Sequence, residues 1–179
     1  MKSTARIAFC GLLGSLAVIC LLLTVFPLGT YALPAMASLF FVPVVIECGK
    51  RWALALYAAV SLLALLIAPD IEAKLLFVFF FGYYPVLKSW CEQQNRVVEW
   101  LCKAVVFNGA VVLAYVLLSA VGFSMEVFAF SETSWPLSVV LAGFLLLGNL
   151  VFFLYDLGIS RMLPLYFLRL QPLVKRLFK

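Results

Sequence analysis

The sequence contains no histidine and has few charged residues for its length. Asp, Glu, Lys and Arg make up 12% of its 179 residues, whereas soluble domains usually contain roughly 25%. Hydrophobic residues make up 66%, and a water-soluble core of this size could not bury so much apolar surface. The composition therefore predicts a protein embedded in a lipid bilayer. The absence of histidine also removes the commonest proton shuttle and metal ligand.

Sequence motifs of catalysis are absent as well. The chain has no nucleophile–base pair, phosphate-binding loop, dinucleotide-binding fingerprint or metalloprotease helix. Its five cysteines lack metal-ligand spacing, so we interpret them as small hydrophobic residues rather than as a zinc site or a disulfide framework. We therefore expect no metal, no cofactor and no enzymatic activity. Despite the net charge of +5, the scattered basic residues do not predict a nucleic-acid partner.

Six apolar segments have the length, or nearly the length, of a membrane-spanning helix, which needs roughly 20 residues. They cover about residues 7–26, 32–46, 52–68, 73–87, 97–121 and 135–155. The second and fourth segments are short, so one of them could be partly re-entrant. The pattern predicts an all-α integral membrane bundle of six transmembrane helices within residues 1–158.

The basic residues occur in alternate loops between these segments. Twelve of the thirteen Lys and Arg residues fall on one predicted side, and Lys74 is the exception. The positive-inside rule assigns that side to the cytoplasm. We therefore expect a multi-pass protein of the plasma membrane with both termini in the cytoplasm.

The last segment, residues 159–179, alternates Leu and aromatic residues with basic ones and contains Pro164 and Pro172. This pattern is typical of an amphipathic segment that lies along the cytoplasmic leaflet and is attracted by anionic lipid. A docking surface for a cytoplasmic partner is the alternative interpretation.

Two asparagines lie at membrane depth, where an unsatisfied polar group costs several kcal/mol. Asn108 in the fifth segment and Asn149 in the sixth can contact each other, either as a structural interhelical contact or as part of a substrate cavity. On the predicted outer side, further polar and aromatic groups could meet a solute. The candidate substrate-binding residues are Tyr31, Asn108, Glu126, Glu132, Trp135 and Asn149.

Two acidic residues lie near the predicted cytoplasmic side. Asp156 ends the sixth segment, and the spacing predicts a local ion pair with Arg161. Glu47 belongs to a short charged turn, although it could also reach across to Lys88 or Lys103. We assign both acidic residues a structural or coupling role.

The most distinctive stretch of the sequence is Phe79 to Lys88. Its Gly82 and Pro85 predict a kink in the fourth helix. Tyr83 and Tyr84, beside the kink, fit an aromatic belt at the level of the lipid headgroups. A hinge or coupling surface is the sharper alternative for these tyrosines and Pro85.

Small residues form a stripe along the first helix at positions Ala8, Gly11, Gly14 and Ser15. Four-residue spacing of such residues permits close helix approach. The stripe predicts either close packing within the chain or contact with another membrane subunit, so we assign these residues to partner docking.

Three features occur together in this sequence. They are its size, six predicted helices with both termini inside, and a small-residue first helix that begins Ala5-Arg6-Ile7-Ala8. With the run from Pro43 to Gly49, these features resemble the substrate-binding S components of energy-coupling-factor (ECF) transporters. The resemblance implies capture of a small molecule from outside, with no ATP bound by the chain itself. It also implies docking through the first helix onto a transmembrane coupling protein that is driven by two cytoplasmic ATPases. The Ala-x-x-x-Ala docking pattern of that family is only approximated here.

Two other functions are compatible with the sequence. One is a membrane scaffold or assembly factor that does not transport, and the other is a lipid-acting enzyme that uses Asp156 or Glu47 with Tyr83 or Tyr84. A polar cavity open to the outside would favour the S component. A filled core with an exposed groove would favour the scaffold, and carboxylates converging in a cytoplasmic pocket would favour the enzyme.

Overall fold

A computed structural model describes residues 3–26, 29–120 and 137–177, and this part of the chain is almost entirely helical, with no β-strand. The predicted all-α class is confirmed. The α-helices are α1 (Ser3–Leu22), α2 (Ala32–Leu39), α3 (Phe41–Glu47), α4 (Lys50–Ile67), α5 (Ile71–Leu76), α6 (Tyr84–Cys91), α7 (Arg96–Ala120), α8 (Leu137–Leu165) and α9 (Gln171–Leu177). Three segments of other helical type are Leu23–Val25 (3-10), Phe77–Phe81 (π) and Tyr166–Leu170 (π).

Four helical stretches are long and apolar enough to cross a membrane. They are Ser3–Val25, Lys50–Ile67, Arg96–Ala114 and Leu145–Leu170. They correspond to the first, third, fifth and sixth predicted spans. By length and composition, these helices are compatible with a membrane protein.

The second predicted span is an apolar but shorter stretch, Ala32–Glu47, that divides into α2 and α3. The division falls at Phe40, whose N–H bonds to the carbonyl of Ala37 at 3.3 Å instead of continuing the α-helical pattern. Pro43 explains the break, because it has no N–H to donate and its ring crowds the carbonyl four residues earlier.

The fourth predicted span is interrupted between its π-helical segment and α6, where the sequence predicts a kink. The N–H of Gly82 reaches back five residues to the carbonyl of Phe77 at 2.7 Å. This register leaves the carbonyl of Val78 free, and the Tyr57 hydroxyl of α4 donates to it at 2.6 Å. A side chain at position 82 would lie 2.6 Å from the Tyr57 ring, so only glycine fits there.

The core comprises three hydrophobic clusters along the bundle. The first two pack α1 against α2, α3 and α4 and contain many small side chains, including Ala17, Ala37, Ala53 and Ala64. The third joins the segment before α6 to α7 and α8 through Phe80, Tyr84, Ala110, Phe152 and Ile159. Close approach of small residues holds the N-terminal helices together, whereas aromatic side chains hold α7 and α8.

The C-terminal part of the chain stays helical beyond the predicted end of the sixth span. Helix α8 continues through position 158, where we predicted a domain boundary, and contains Pro164. Because Pro164 cannot donate a backbone hydrogen bond, the helix ends one residue later and a π-helical segment follows. Val174 of α9 packs against the second core cluster. The proposed contact of residues 159–179 with lipid headgroups remains a prediction.

Candidate functional site

Three charged side chains meet in the interior of the bundle. Lys88 on α6, Lys103 on α7 and Asp156 on α8 are 2%, 1% and 5% exposed, respectively. We call these three residues the ion cluster. Charged groups at such positions are rare within membrane bundles, and a functional role is the first hypothesis for them.

The carboxylate of Asp156 is the centre of the ion cluster. Its Oδ1 accepts hydrogen bonds from Lys88 Nζ and, at 2.6 Å, from the Tyr84 hydroxyl. Its Oδ2 accepts from Lys103 Nζ at 2.9 Å. Both oxygens are therefore bonded to charged or strongly polar donors, and such charge-assisted bonds are about twice as strong as neutral ones.

Each lysine has further partners. Lys88 Nζ also donates to the backbone carbonyl of Asp156 at 3.2 Å and to Ser160 Oγ at 2.8 Å, and it pairs with Glu92 at 3.1 Å. Lys103 pairs with Glu99 at 2.5 Å. The two ammonium groups thus face three carboxylates, which offset the desolvation cost of burying them.

Aromatic rings cover one side of the ion cluster. Tyr84 packs edge-on against Phe152, with ring centroids 5.3 Å apart. Phe152 stacks in turn on Phe107 of α7 at 4.8 Å. Tyr155 lies against Tyr84 and shares a hydrogen bond with the hydroxyl of Ser38. These rings exclude water, so the ion pairs of the cluster lie in a low-dielectric environment that strengthens them.

The predicted partners of the two acidic residues are wrong. Among the described contacts, Asp156 pairs with Lys88 and Lys103, whereas Arg161 is exposed. Glu47 instead accepts hydrogen bonds from Tyr166 at 3.4 Å and from Gln171 at 3.1 Å. The physical reason is that Lys88 and Lys103 project into the bundle toward α8, where Asp156 engages both of them.

Sequence reasoning missed the ion cluster because it paired Asp156 with Arg161 and considered Lys88 and Lys103 as topology signals or as partners of Glu47. A periodic pattern could have revealed the cluster, because residues three or four positions apart lie on the same face of a helix. Three such rows meet here: Phe80, Tyr84 and Lys88; Lys103, Phe107 and Ala110; Phe152, Asp156 and Ile159.

Tyr83 and Tyr84 occupy different environments. Tyr84 is fully buried and bound to Asp156, so the prediction that it belongs to an interfacial aromatic belt is wrong. Tyr83 is half-buried and packs edge-on against Tyr57 at 5.9 Å. Pro85 is buried in the first turn of α6, where a missing N–H costs least.

The predicted contact between Asn108 and Asn149 is confirmed. The two side-chain amides exchange hydrogen bonds of 3.2 and 3.1 Å between α7 and α8. Each amide also donates to a carbonyl four residues earlier on its own helix, Ala104 and Leu145, at 2.8 Å. The polar atoms thus satisfy one another, and a role in lining a substrate cavity stays a prediction.

The other candidate substrate-binding residues lie elsewhere. Tyr31 is exposed before α2, and its hydroxyl donates to Glu72 at 3.2 Å. Glu126, Glu132 and Trp135 lie outside the described residues. The contacts of Tyr31 and of the asparagine pair do not join them into one site.

A groove runs along the side of the helix bundle between α1 and α4. It has a volume of about 410 Å³ and is almost wholly apolar. It is lined by Gly11, Gly14, Ser15, Val18, Ile19, Leu56, Ala59, Val60 and Leu63. Three of the four predicted docking residues thus lie in it, and Ala8 is exposed one turn nearer the start of α1.

The two glycines of this groove differ in their surroundings. A Cβ atom added to Gly14 would lie 2.8 Å from Leu56 Cδ1, so Gly14 permits the close approach of α1 and α4. A Cβ atom added to Gly11 would meet nothing within 4 Å. Gly14 therefore serves packing within the chain, whereas Gly11 borders open space.

We compared the chain with known protein families, with curated proteins and with solved structures, and none matches it. Two features of the described residues therefore carry the functional information. The ion cluster joins α6, α7 and α8 through buried charges. The groove between α1 and α4 presents small residues to the surroundings of the bundle.

Proposed function

We propose that the chain crosses the membrane six times, with both termini in the cytoplasm. Four long apolar helices support this topology, and the broken stretches 32–47 and 71–91 supply two further crossings. The contact of Tyr31 with Glu72 at one end, and of Lys50 with the carbonyl of Ser89 at the other, fits the alternation of loops. Twelve of the thirteen basic residues fall on the proposed cytoplasmic side.

We further propose that the protein is a docking subunit, which binds a second integral membrane protein through the groove between α1 and α4. The observation that carries this proposal is the open space at Gly11 within an apolar groove whose lining includes Gly14, Ser15 and Ala59. In lipid, association depends on close packing rather than on the hydrophobic effect, and small residues let a partner's transmembrane helix approach the backbone. The proposed occupant is one such helix.

In its specific form, the proposal is that the protein is the substrate-binding subunit of an ECF-type importer. In this form, the partner is a transmembrane coupling protein that carries two cytoplasmic ATPases, and the chain captures a small molecule from outside. The resemblance of the sequence and the position of the small-residue stripe on α1 support it. Tyr31 and Glu72, joined at the proposed outer end, are polar groups that such a solute would meet.

A scaffold or assembly factor that does not transport is the second candidate. It is favoured by the aromatic side chains of Phe80, Phe107, Phe152 and Tyr155, which fill the space between the central segment and α8. The described contacts give no support to a lipid-acting enzyme. Asp156 is engaged by two lysines and Tyr84, while Glu47 is bound to other residues.

The docking proposal is tested with Gly11→Leu, which places a bulky side chain in the groove without a clash inside the chain. Gly109→Leu is the matched control, since Gly109 on α7 also borders open space and lies outside the groove. Each tagged variant is purified in mild detergent, and bound membrane proteins are identified and quantified by mass spectrometry. We expect wild type and Gly109→Leu to retain the partner and Gly11→Leu to lose about ten-fold or more of it, equivalent to about 1.4 kcal/mol.

The identity of the retained proteins separates the two forms of the proposal. A coupling protein with ATPases supports the importer, whereas a membrane protein without ATPases supports the scaffold. If wild type retains no membrane protein, or if Gly11→Leu retains as much as Gly109→Leu, the docking proposal is wrong.

A further inference from the structure

Two cysteines face each other beside the ion cluster. Cys91 is the last residue of α6, Cys102 lies in the second turn of α7, and their Sγ atoms are 3.0 Å apart. Both are free thiols. The sequence interpretation of all five cysteines as hydrophobic filler does not account for this juxtaposition.

The geometry of the pair favours a covalent bond between the two sulfurs. Their separation exceeds a disulfide bond of roughly 2.05 Å by only about 1 Å, so the two sulfurs already lie in direct contact. Cys102 is partly exposed, whereas Cys91 is buried. An accessible thiol next to a second, resolving thiol is the usual arrangement of a redox-sensitive site.

We propose that Cys91 and Cys102 form a reversible dithiol–disulfide site that responds to peroxides. The Cys102 thiol loses its proton, and the thiolate attacks a peroxide oxygen and breaks the O–O bond. The leaving hydroxide takes up that proton, which gives a sulfenic acid and one water. The Cys91 thiol then attacks that sulfur, the S–O bond breaks, and the second water leaves. Two thiols are thus oxidised to one disulfide while hydrogen peroxide is reduced to two waters, and a dithiol reductant reverses the reaction.

The location gives this chemistry a structural consequence. Cys91 follows Lys88 by three residues, and Cys102 directly precedes Lys103, so the disulfide would join α6 to α7 beside the ion cluster. On the proposed cytoplasmic side, thiols are normally reduced, and disulfides that form there are usually transient and redox-sensing. The reduced pair is therefore the resting state of the site.

The test oxidises the purified full-length protein with one equivalent of hydrogen peroxide, blocks the remaining thiols and maps the peptides by mass spectrometry. We expect reactive thiols to fall from five to three, with Cys91 linked to Cys102, and dithiothreitol to restore all five. The linked protein should also unfold about 5 °C higher than the reduced protein, because the bond constrains the unfolded chain.

Two variants control the experiment. Cys102→Ser changes the partly exposed member of the pair and should abolish the link, whereas Cys20→Ser, on α1, should leave it unchanged. The Cys10 and Cys48 side chains pack in one core cluster, so the map must distinguish them. A link between Cys10 and Cys48, over-oxidation of Cys102 to a sulfinic acid, or five unreacted thiols would each overturn the proposal.

Discussion

Helices α1 and α7 are both long and apolar enough to cross a membrane, yet they are held in opposite ways. In an apolar stretch of 18 residues from each, 39% of the residues are buried in the stretch that contains α1 and 6% in that of α7. Small residues such as Gly14 and Ala17 bring α1 close to its neighbours. On α7, Lys103 and Asn108 make specific polar contacts with α8.

The difference shows two solutions to helix association in lipid, where burial of apolar surface gives little gain. The packing of α1 spreads its stability over many weak contacts. The attachment of α7 concentrates stability in an ion pair, an amide pair and two aromatic stacks. Loss of the buried charge at the α7–α8 contact should therefore matter more than a change of one small residue along α1.

Asp156→Asn should break the attachment of α7 and α8 most severely. It removes the carboxylate that both buried lysines share and leaves each with only its local acidic neighbour, and breaking a buried ion pair in this way costs about 3–5 kcal/mol. We expect the thermal unfolding midpoint in detergent to fall by about 10 °C. Asp70→Asn is the matched control, since Asp70 caps α5 and asparagine caps equally well. Equal midpoints for the two variants would show that the ion cluster is not the main attachment.

Gly14→Val should weaken the packing of α1 by a smaller amount. The new side chain would clash with Leu56, and overpacking of this kind costs about 1–3 kcal/mol. Gly11→Val adds the same atoms to open space and should change the unfolding free energy by less than about 0.5 kcal/mol. Chemical denaturation of both variants measures the difference. If the Gly11 variant loses as much stability as the Gly14 variant, α1 is not held by close packing at position 14.

Asn149→Leu should have the smallest effect, because interhelical amide bonds in membranes contribute only about 1 kcal/mol. The Asn108→Leu/Asn149→Leu double variant tests the mechanism, since each amide bonds to the other. If the two act as a pair, the double variant should cost less than the sum of the single variants in the same denaturation measurement. Strict additivity would indicate that the amides act separately.

The sequence predicts the fold class well because the signals for it, such as the length of an apolar segment, can be read along the chain without knowing the tertiary structure. Apolar length predicts α1, α4, α7 and α8, whereas the second predicted span divides into α2 and α3, a break that we did not predict. The π-helical register before Gly82 could not be predicted, since it depends on the Tyr57 hydroxyl, which arrives from another helix.

The site is less predictable because it depends on how helices rotate about their axes. Depth alone brings Asn108 and Asn149 together, so that contact follows from the sequence. Lys88 and Asp156 are 68 positions apart in the sequence. A lysine near a loop has the same effect on membrane topology whether its side chain faces the lipid headgroups or the interior of the bundle. Only the packed faces of α6, α7 and α8 show which of the two applies.

The ion cluster also sets the order in which charges can pair while the chain is being made. Lys88 and Lys103 each have an acidic neighbour four residues away, whereas Asp156 follows Lys103 by 53 residues. In the growing chain, α6 and α7 are therefore made with only these local partners available. Their shared counter-ion arrives with the last long helix. Synthesis of α8 thus completes the assembly of helices that precede it, and chains that stop short of Asp156 leave two lysines without the carboxylate that joins them.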